Sequence, residues 1–209
     1  MVRLIPVLLL VFSSGVLAQQ TSNGNPHKFF EGFVEHMESL LNTVAVNHQF
    51  FTDNTQLLES LVESHVNSYI DYEGISQFVV GKHWRWATDK EKSAFIVEFR
   101  RELMRSYSSF VLKYSNDPIE WGYAYKARKD HMLVTAELGK EKLSFYFRKR
   151  SYHDNNWMLH DIKIGGISIM STYRSAYRRI LQESGRSADR KSIKTLTRTI
   201  KRRNNARSN

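Results

Sequence analysis

Cysteine is absent from the 209 residues, which excludes disulfides, thiolate metal sites and a lipid anchor built on an N-terminal cysteine. Proline occurs three times, and two of these punctuate helices: Pro26 opens the first and Pro118 stops the fourth. Beyond the N-terminus no apolar run approaches the ~20 residues needed to cross a bilayer. The motifs of the common hydrolases and phosphate binders are missing as well. Gly166-Ile167-Ser168-Ile169-Met170 lacks the closing glycine of a nucleophile elbow, and no HExxH, EF-hand or P-loop spacing occurs. The eight histidines are scattered, with no pair at ligand spacing inside one helical turn, so a metal site is not expected.

The first residues read as a secretory signal. Arg3 precedes an apolar run from Leu4 to Phe12, and Val16-Leu17-Ala18 supplies small residues for cleavage after Ala18. The expected organisation is therefore a signal peptide at 1–18, one domain at 19–185 and a basic tail at 186–209. Charge is unevenly placed along that chain. From Arg186 onward nine Lys or Arg stand against Asp189 alone, whereas residues 19–185 hold 21 basic and 20 acidic residues. The net charge of +10 thus belongs to a near-neutral globule with a basic end, not to a globule built to hold nucleic acid over one face. A weak Ile193, Leu196, Ile200 pattern allows a short helix within the tail.

Apolar spacing of three and four predicts a helix from Pro26 through Val44, carrying Phe30, Phe33, Val34, Met37, Leu40 and Leu41. A second helix, capped by Asp53 or Asn54, carries Leu57, Leu58, Leu61, Val62 and Val66. A short third one carries Ile75, Phe78 and Val79 and ends at Gly81. Thr88 and Glu91 form a capping box for a long fourth helix with Phe95, Phe99, Leu103, Tyr107, Phe110, Val111 and Tyr114 along one side. Period two then takes over. It predicts strands through Trp121–Ala127, Met132–Leu138, Leu143–Phe147 and Trp157–Ile164, before Gly165-Gly166 and a fifth helix from about Ser171 to Leu181. Helices, then an antiparallel meander, then a helix define an α+β fold with about four strands.

Two clusters invite a chemical reading. His160 and Asp161 adjoin on the last strand, where neighbouring side chains point to opposite faces. Asp161 either acts as the general base of a cone-fold isomerase or hydrolase, or bonds backbone groups or Arg174 at the strand-to-helix turn. Lys82-His83-Trp84-Arg85-Trp86 interleaves basic and aromatic residues, which suits base stacking or the packing of both tryptophans under the long helix. The aromatic surplus on the sheet and the long helix either fills a solid core or lines a dry apolar cavity, since bulky side chains that fail to interdigitate leave room for hydrocarbon.

Asp71 to Tyr114 (DYEGISQFVVGKHWRWATDKEKSAFIVEFRRELMRSYSSFVLKY) and Trp157 to Leu181 (WMLHDIKIGGISIMSTYRSAYRRIL) together resemble the MlaC/toluene-tolerance family of periplasmic phospholipid-binding proteins, the Ttg2-type auxiliary components. The first stretch has the family's acidic-aromatic start, Gly-basic turn, Trp-Arg-x-Ala-Thr and Phe-x-x-x-Phe helix, with Val80 where Leu is common. The second has its Trp-x-x-x-Asp, Gly-x-Ser and Tyr-Arg run, with Tyr177 for a usual Phe. The resemblance implies helices wrapped around one curved antiparallel sheet that encloses an apolar lipid cavity. It implies a non-enzymatic periplasmic shuttle, a monomer with no cofactor, whose cargo is a phospholipid held tails-first. Its partners would be an outer-membrane lipoprotein complex and an inner-membrane ABC transporter with an MCE-domain subunit, with no role for nucleic acid.

Periodicity then nominates the lining: Phe95, Phe99, Leu103, Tyr107 and Phe110 from the long helix, and Tyr123, Tyr125, Val134, Leu138, Phe145 and Phe147 from the sheet. Arg85 and Arg174 are nominated as partners of Asp71 or Asp161. An isoprenoid or polycyclic lipid is the alternative cargo, and contact of the basic tail with anionic lipid or an acidic partner is the alternative to a solvated terminus.

Overall fold

The computed structural model describes residues 25–126, 130–150, 156–183 and 190–206; the signal expected at 1–18 and the tail boundary expected at 185–186 lie outside them. Asn25 starts helix α1 (Pro26–Val46) by accepting the backbone N–H of His27 at 3.0 Å, with Pro26 in the first turn. Phe29, Phe33, Met37, Leu40 and Val44 form its buried stripe. A six-residue helix α2 (His48–Asp53) follows, which the spacing did not announce, and turns Phe51 inward. Helix α3 (Thr55–Val66) buries Leu58 and Val62. Helix α4 (Tyr72–Val80) ends at Gly81, whose φ of +65° suits glycine. A 3-10 segment (Gly81–Trp86) buries Trp84 before helix α5 (Asp89–Tyr114). The capping box is present: Glu91 N–H donates to Thr88 Oγ1 at 3.3 Å, and Thr88 N–H donates to Glu91 Oε2 at 2.9 Å.

The sheet runs β1 (Ile119–Lys126), β2 (His131–Leu138), β3 (Glu141–Arg150), β4 (Asn156–Ile164) and β5 (Ile167–Ser168), every pair antiparallel and every neighbour sequential. The count is five rather than four because Gly165 and Gly166, at φ +56° and +83°, fold the chain back for two residues. Helix α6 (Ile169–Glu183) begins at once, two residues earlier than the sequence pattern suggests. A bulge falls between Tyr146 and Phe147, opposite His160.

The core does not stop at residue 185. Helix α7 (Arg190–Ala206) packs on α5 and α6 and buries Ile193, Leu196 and Ile200 almost completely. The sequence reading placed these residues in a tail because seven basic residues on one helix mask three aliphatic ones. Each fully buried aliphatic side chain contributes about 1.5–3 kcal/mol, which is ample to seat a helix of like charges. Arg203 and Asn204 reinforce the seat. Arg203 faces Glu102 of α5 at 3.8 Å, and Asn204 donates to the Glu98 carbonyl and carboxylate, both at 3.0 Å.

One ion pair locks α4 to the sheet. Asp71 is fully buried, caps α4 by accepting Gly74 N–H at 2.8 Å and meets Arg150 Nε of β3 at 2.8 Å. Neither arginine nominated for this role supplies it. The Arg85 guanidinium lies over the Trp86 ring at 5.3 Å and that of Arg174 over Phe78 at 4.7 Å, since both are exposed, Arg85 in the 3-10 segment and Arg174 on α6. Gly74 is small for a reason: a Cβ there would stand 2.2 Å from Asp71 Oδ2 and 2.9 Å from an Arg150 guanidinium nitrogen. At an ordinary helical position Gly→Ala gains up to about 1 kcal/mol. Here Gly74→Ala is expected to lose about 1–3 kcal/mol through overpacking, read as a lower urea midpoint; a gain would refute the clamp.

Candidate functional site

Helices α1, α3 and α5 face the inner side of the sheet without filling the space between. They leave a cavity of about 120 Å³. Phe33, Met37, Leu40 and Leu41 of α1 form one wall, Val62 and Val66 of α3 another, and Leu103, Tyr107, Phe110 and Val111 of α5 a third. Trp121, Leu138, Leu143, Phe145 and Ile162 cover the sheet side. The surface is almost entirely carbon, so the space offers dispersion and desolvation but no hydrogen-bond instructions.

Five of the residues nominated from periodicity line this cavity: Leu103, Tyr107, Phe110, Leu138 and Phe145. Five others do not. Phe95 and Phe99 point to α6 and stack with each other at 5.5 Å; Phe99 meets Tyr173 at 5.3 Å and Phe95 meets Tyr177 at 6.0 Å. The cause is length: 26 residues extend about 39 Å at 1.5 Å each, so the stripe of α5 serves a solid core at its start and the cavity at its end. Tyr123 stacks on Phe30 of α1 at 5.1 Å. Val134 is fully buried, and Phe147 wedges between Phe29 and Phe33 at 5.0 and 5.1 Å. The Tyr125 side chain lies outside the described residues. The walls given by α1 and α3 were missed, although their 3–4 stripes carried the signal; only the partner of each stripe was undefined.

Polar groups gather around the cavity rather than in it. Trp121 Nε1 donates to Glu38 of α1 at 3.1 Å, and His36 Nδ1 bonds the Tyr69 hydroxyl. Burial, with Glu35 nearby, pushes the Tyr69 phenol up to about 12. The Tyr107 hydroxyl is buried with no hydrogen-bond partner among the described residues, and burial pushes its phenol far up as well. On the far side of α5, Tyr177 donates to the buried Glu102 carboxylate at 2.5 Å.

Asp161 is committed to structure. Its carboxylate accepts Ser168 Oγ–H at 2.7 Å and Met170 N–H at 3.1 Å, capping α6 at the strand-to-helix turn. His160, one residue before, turns its ring toward His131 and Tyr146, with centroids 6.0 and 6.4 Å away. The two side chains do not converge. Among the described residues no group of three His, Cys, Asp or Glu is placed to hold a metal ion, and no helix is long and apolar enough to cross a membrane.

Helices laid on one open antiparallel meander, with an apolar hollow between the two layers, define an α+β protein. The chain belongs to the MlaC protein family, whose model matches residues 35–198. It is 25% identical over 189 residues to the toluene tolerance protein ttg2D of Pseudomonas putida, covering 88% of this chain and 84% of that protein. Its fold is similar to that of a phospholipid-binding protein from Ralstonia solanacearum, solved in complex with a phospholipid. The TM-score is 0.69 at 18% identity, with 86% of this chain and 96% of that one covered.

His160 gives the site a pH signature. Burial first, then the positive charges of Arg148 and His131, hold its imidazole down at about 4. An unfolded chain takes up this proton near pH 6.5, so between those values the unfolded state binds more protons and stability falls as pH falls. Thermal melts from pH 7 to 4.5 are expected to show this loss, and His160→Gln to flatten it. An unchanged slope in the variant would place the titration elsewhere.

Proposed function

We propose that this chain is a periplasmic lipid carrier that holds phospholipid acyl chains in the cavity between α1, α3, α5 and the sheet. The observation that carries the reading is the cavity itself, whose walls present carbon on every side, in a chain of the MlaC family. The similarity in fold to a protein solved with a phospholipid supports it. Family and neighbour both favour binding over catalysis. The cone-fold alternative requires a free base, and both oxygens of Asp161 are occupied.

Energetics set the way such a carrier works. Burying hydrocarbon gains about 0.8 kcal/mol per methylene, so a sixteen-carbon chain gains roughly 12 kcal/mol gross. Spontaneous release into water is correspondingly slow. Handoff therefore takes place to docked partners, which in this reading are an outer-membrane lipoprotein complex and an inner-membrane ABC transporter with an MCE-domain subunit. The present 120 Å³ lies below the roughly 300–1,000 Å³ of a pocket that encloses a drug-sized ligand. Loading thus moves α1 away from the sheet. Such movement is cheap because contacts between apolar surfaces are non-directional, and the entering chains replace those that are lost.

Native mass spectrometry of protein purified without detergent is expected to show a co-purified phospholipid. Val66, half-buried on the cavity wall, supplies the matching variant. Val66→Trp displaces about two methylenes of cargo, close to 1.6 kcal/mol, and weakens lipid uptake about tenfold while the fold persists. A chain that stays lipid-free and takes nothing from vesicles contradicts the reading.

A further inference from the structure

Helix α7 carries seven Lys or Arg and no acidic residue over its 17 positions. Lys194, Arg198, Lys201 and Arg202 are all exposed, and offsets of four, seven and eight set them on successive turns of one side. The opposite side, with Ile193, Leu196, Ile200 and Asn204, is buried. Arg203 faces Glu102 and does not belong to the basic arc. Helix α6 packs alongside and adds exposed Arg174, Arg178 and Arg179.

We propose that the basic arc of α7 is a docking surface for an anionic lipid bilayer, held by charge alone. The apolar side of α7 is committed to the core, so the helix adsorbs through its charges without inserting as an interfacial amphipathic helix does. A protein partner is a poorer fit, because stable interfaces are anchored by aromatic or aliphatic side chains in desolvated pockets. Among the described residues the arc offers between its charges only small side chains such as Thr195, Thr197 and Asn205. It has no aromatic residue on which nucleic acid bases would stack. An anionic membrane needs neither anchor nor stack: each Lys or Arg near its surface is worth about fivefold in partitioning. Binding of this kind is reversible and lets a carrier visit a bilayer without being trapped there. It goes beyond the cargo reading and holds whatever the cavity carries.

The test is flotation of the full-length mature chain with phosphatidylcholine vesicles, with and without phosphatidylglycerol. Expected is binding only to the anionic vesicles at about 0.1 M salt, where the Debye length is about 10 Å, and release near 1 M, where it is about 3 Å. Replacing Lys194, Arg198 and Lys201 together by Glu weakens binding by about a hundredfold or more, and the milder Gln triple by about a hundredfold at most. A control triple, Lys113→Glu, Lys140→Glu and Lys142→Glu, makes the same change in net charge at exposed sites on other elements and keeps binding within about fivefold. Circular dichroism checks the fold of each variant. Indifference to phosphatidylglycerol, equal loss in both Glu triples, or preference for polyglutamate or duplex DNA over the vesicles overturns the proposal. Uptake of a fluorescent phospholipid from mixed micelles is read separately, so its absence counts against the cavity reading and leaves vesicle adsorption standing.

Discussion

The structure is constrained by the cost of keeping part of its interior unfilled. At roughly 24 cal/mol per Å³, a cavity of 120 Å³ costs about 3 kcal/mol, a large fraction of the 5–15 kcal/mol by which domains are ordinarily stable. The compensation is spatially separate. The first half of α5 is packed against α6 through Phe95, Phe99 and Tyr177, and α5 also packs against α7. Arg100 pairs with Glu63, and Arg105 bridges Glu59 of α3 and the Asn204 carbonyl of α7 at 3.2 and 2.6 Å. One end of the helix is an anchor, and this frees the other end to border a hollow.

That division gives the fold its directional stiffness. Around α4, α6 and α7 the contacts are specific: the buried Asp71–Arg150 pair, the Asp161 cap and the Tyr177–Glu102 bond. Around the cavity they are aliphatic and aromatic, with Trp121 to Glu38 the cross-layer hydrogen bond from sheet to α1. Polar pairs lose much when displaced, because a buried partner is left unsatisfied. Apolar walls lose little when other hydrocarbon takes the vacated place. The apolar contacts of α1 with the sheet are therefore the ones this architecture can exchange at least cost, whereas α3 is tied to α5 by Glu59 and Glu63 and the α6 and α7 side holds its shape and presents its charge.

Most of the architecture was legible in the sequence because local physics determines it. The Thr88–Glu91 capping box, the Gly81 stop, the period-two strands and the Gly165-Gly166 reversal each rest on neighbours in the chain, and each stands where the residues put it. Five of the eleven nominated lining residues fall outside the cavity wall. Phe95 and Phe110 look alike on one helical stripe, but the first meets Tyr177 and the second the cavity; which partner a stripe receives is a matter of tertiary packing. The partner of Asp71 was hidden for the same reason, since Arg150 lies on a strand far along the chain. Helix α7 was obscured by composition: its charges dominate any average, while three aliphatic residues at helical spacing decide its burial.

The central claim is that acyl chains occupy this particular hollow, and Trp121 stands in its wall. Phospholipid brominated along its acyl chains should therefore quench tryptophan emission in the wild-type chain. Most of that quenching should vanish in Trp121→Phe, while Trp84, buried beside Phe95 on the solid side of α5, continues to emit unquenched. Bound brominated lipid that leaves Trp121 bright, or quenching that survives its removal, would place the chains elsewhere and contradict the account.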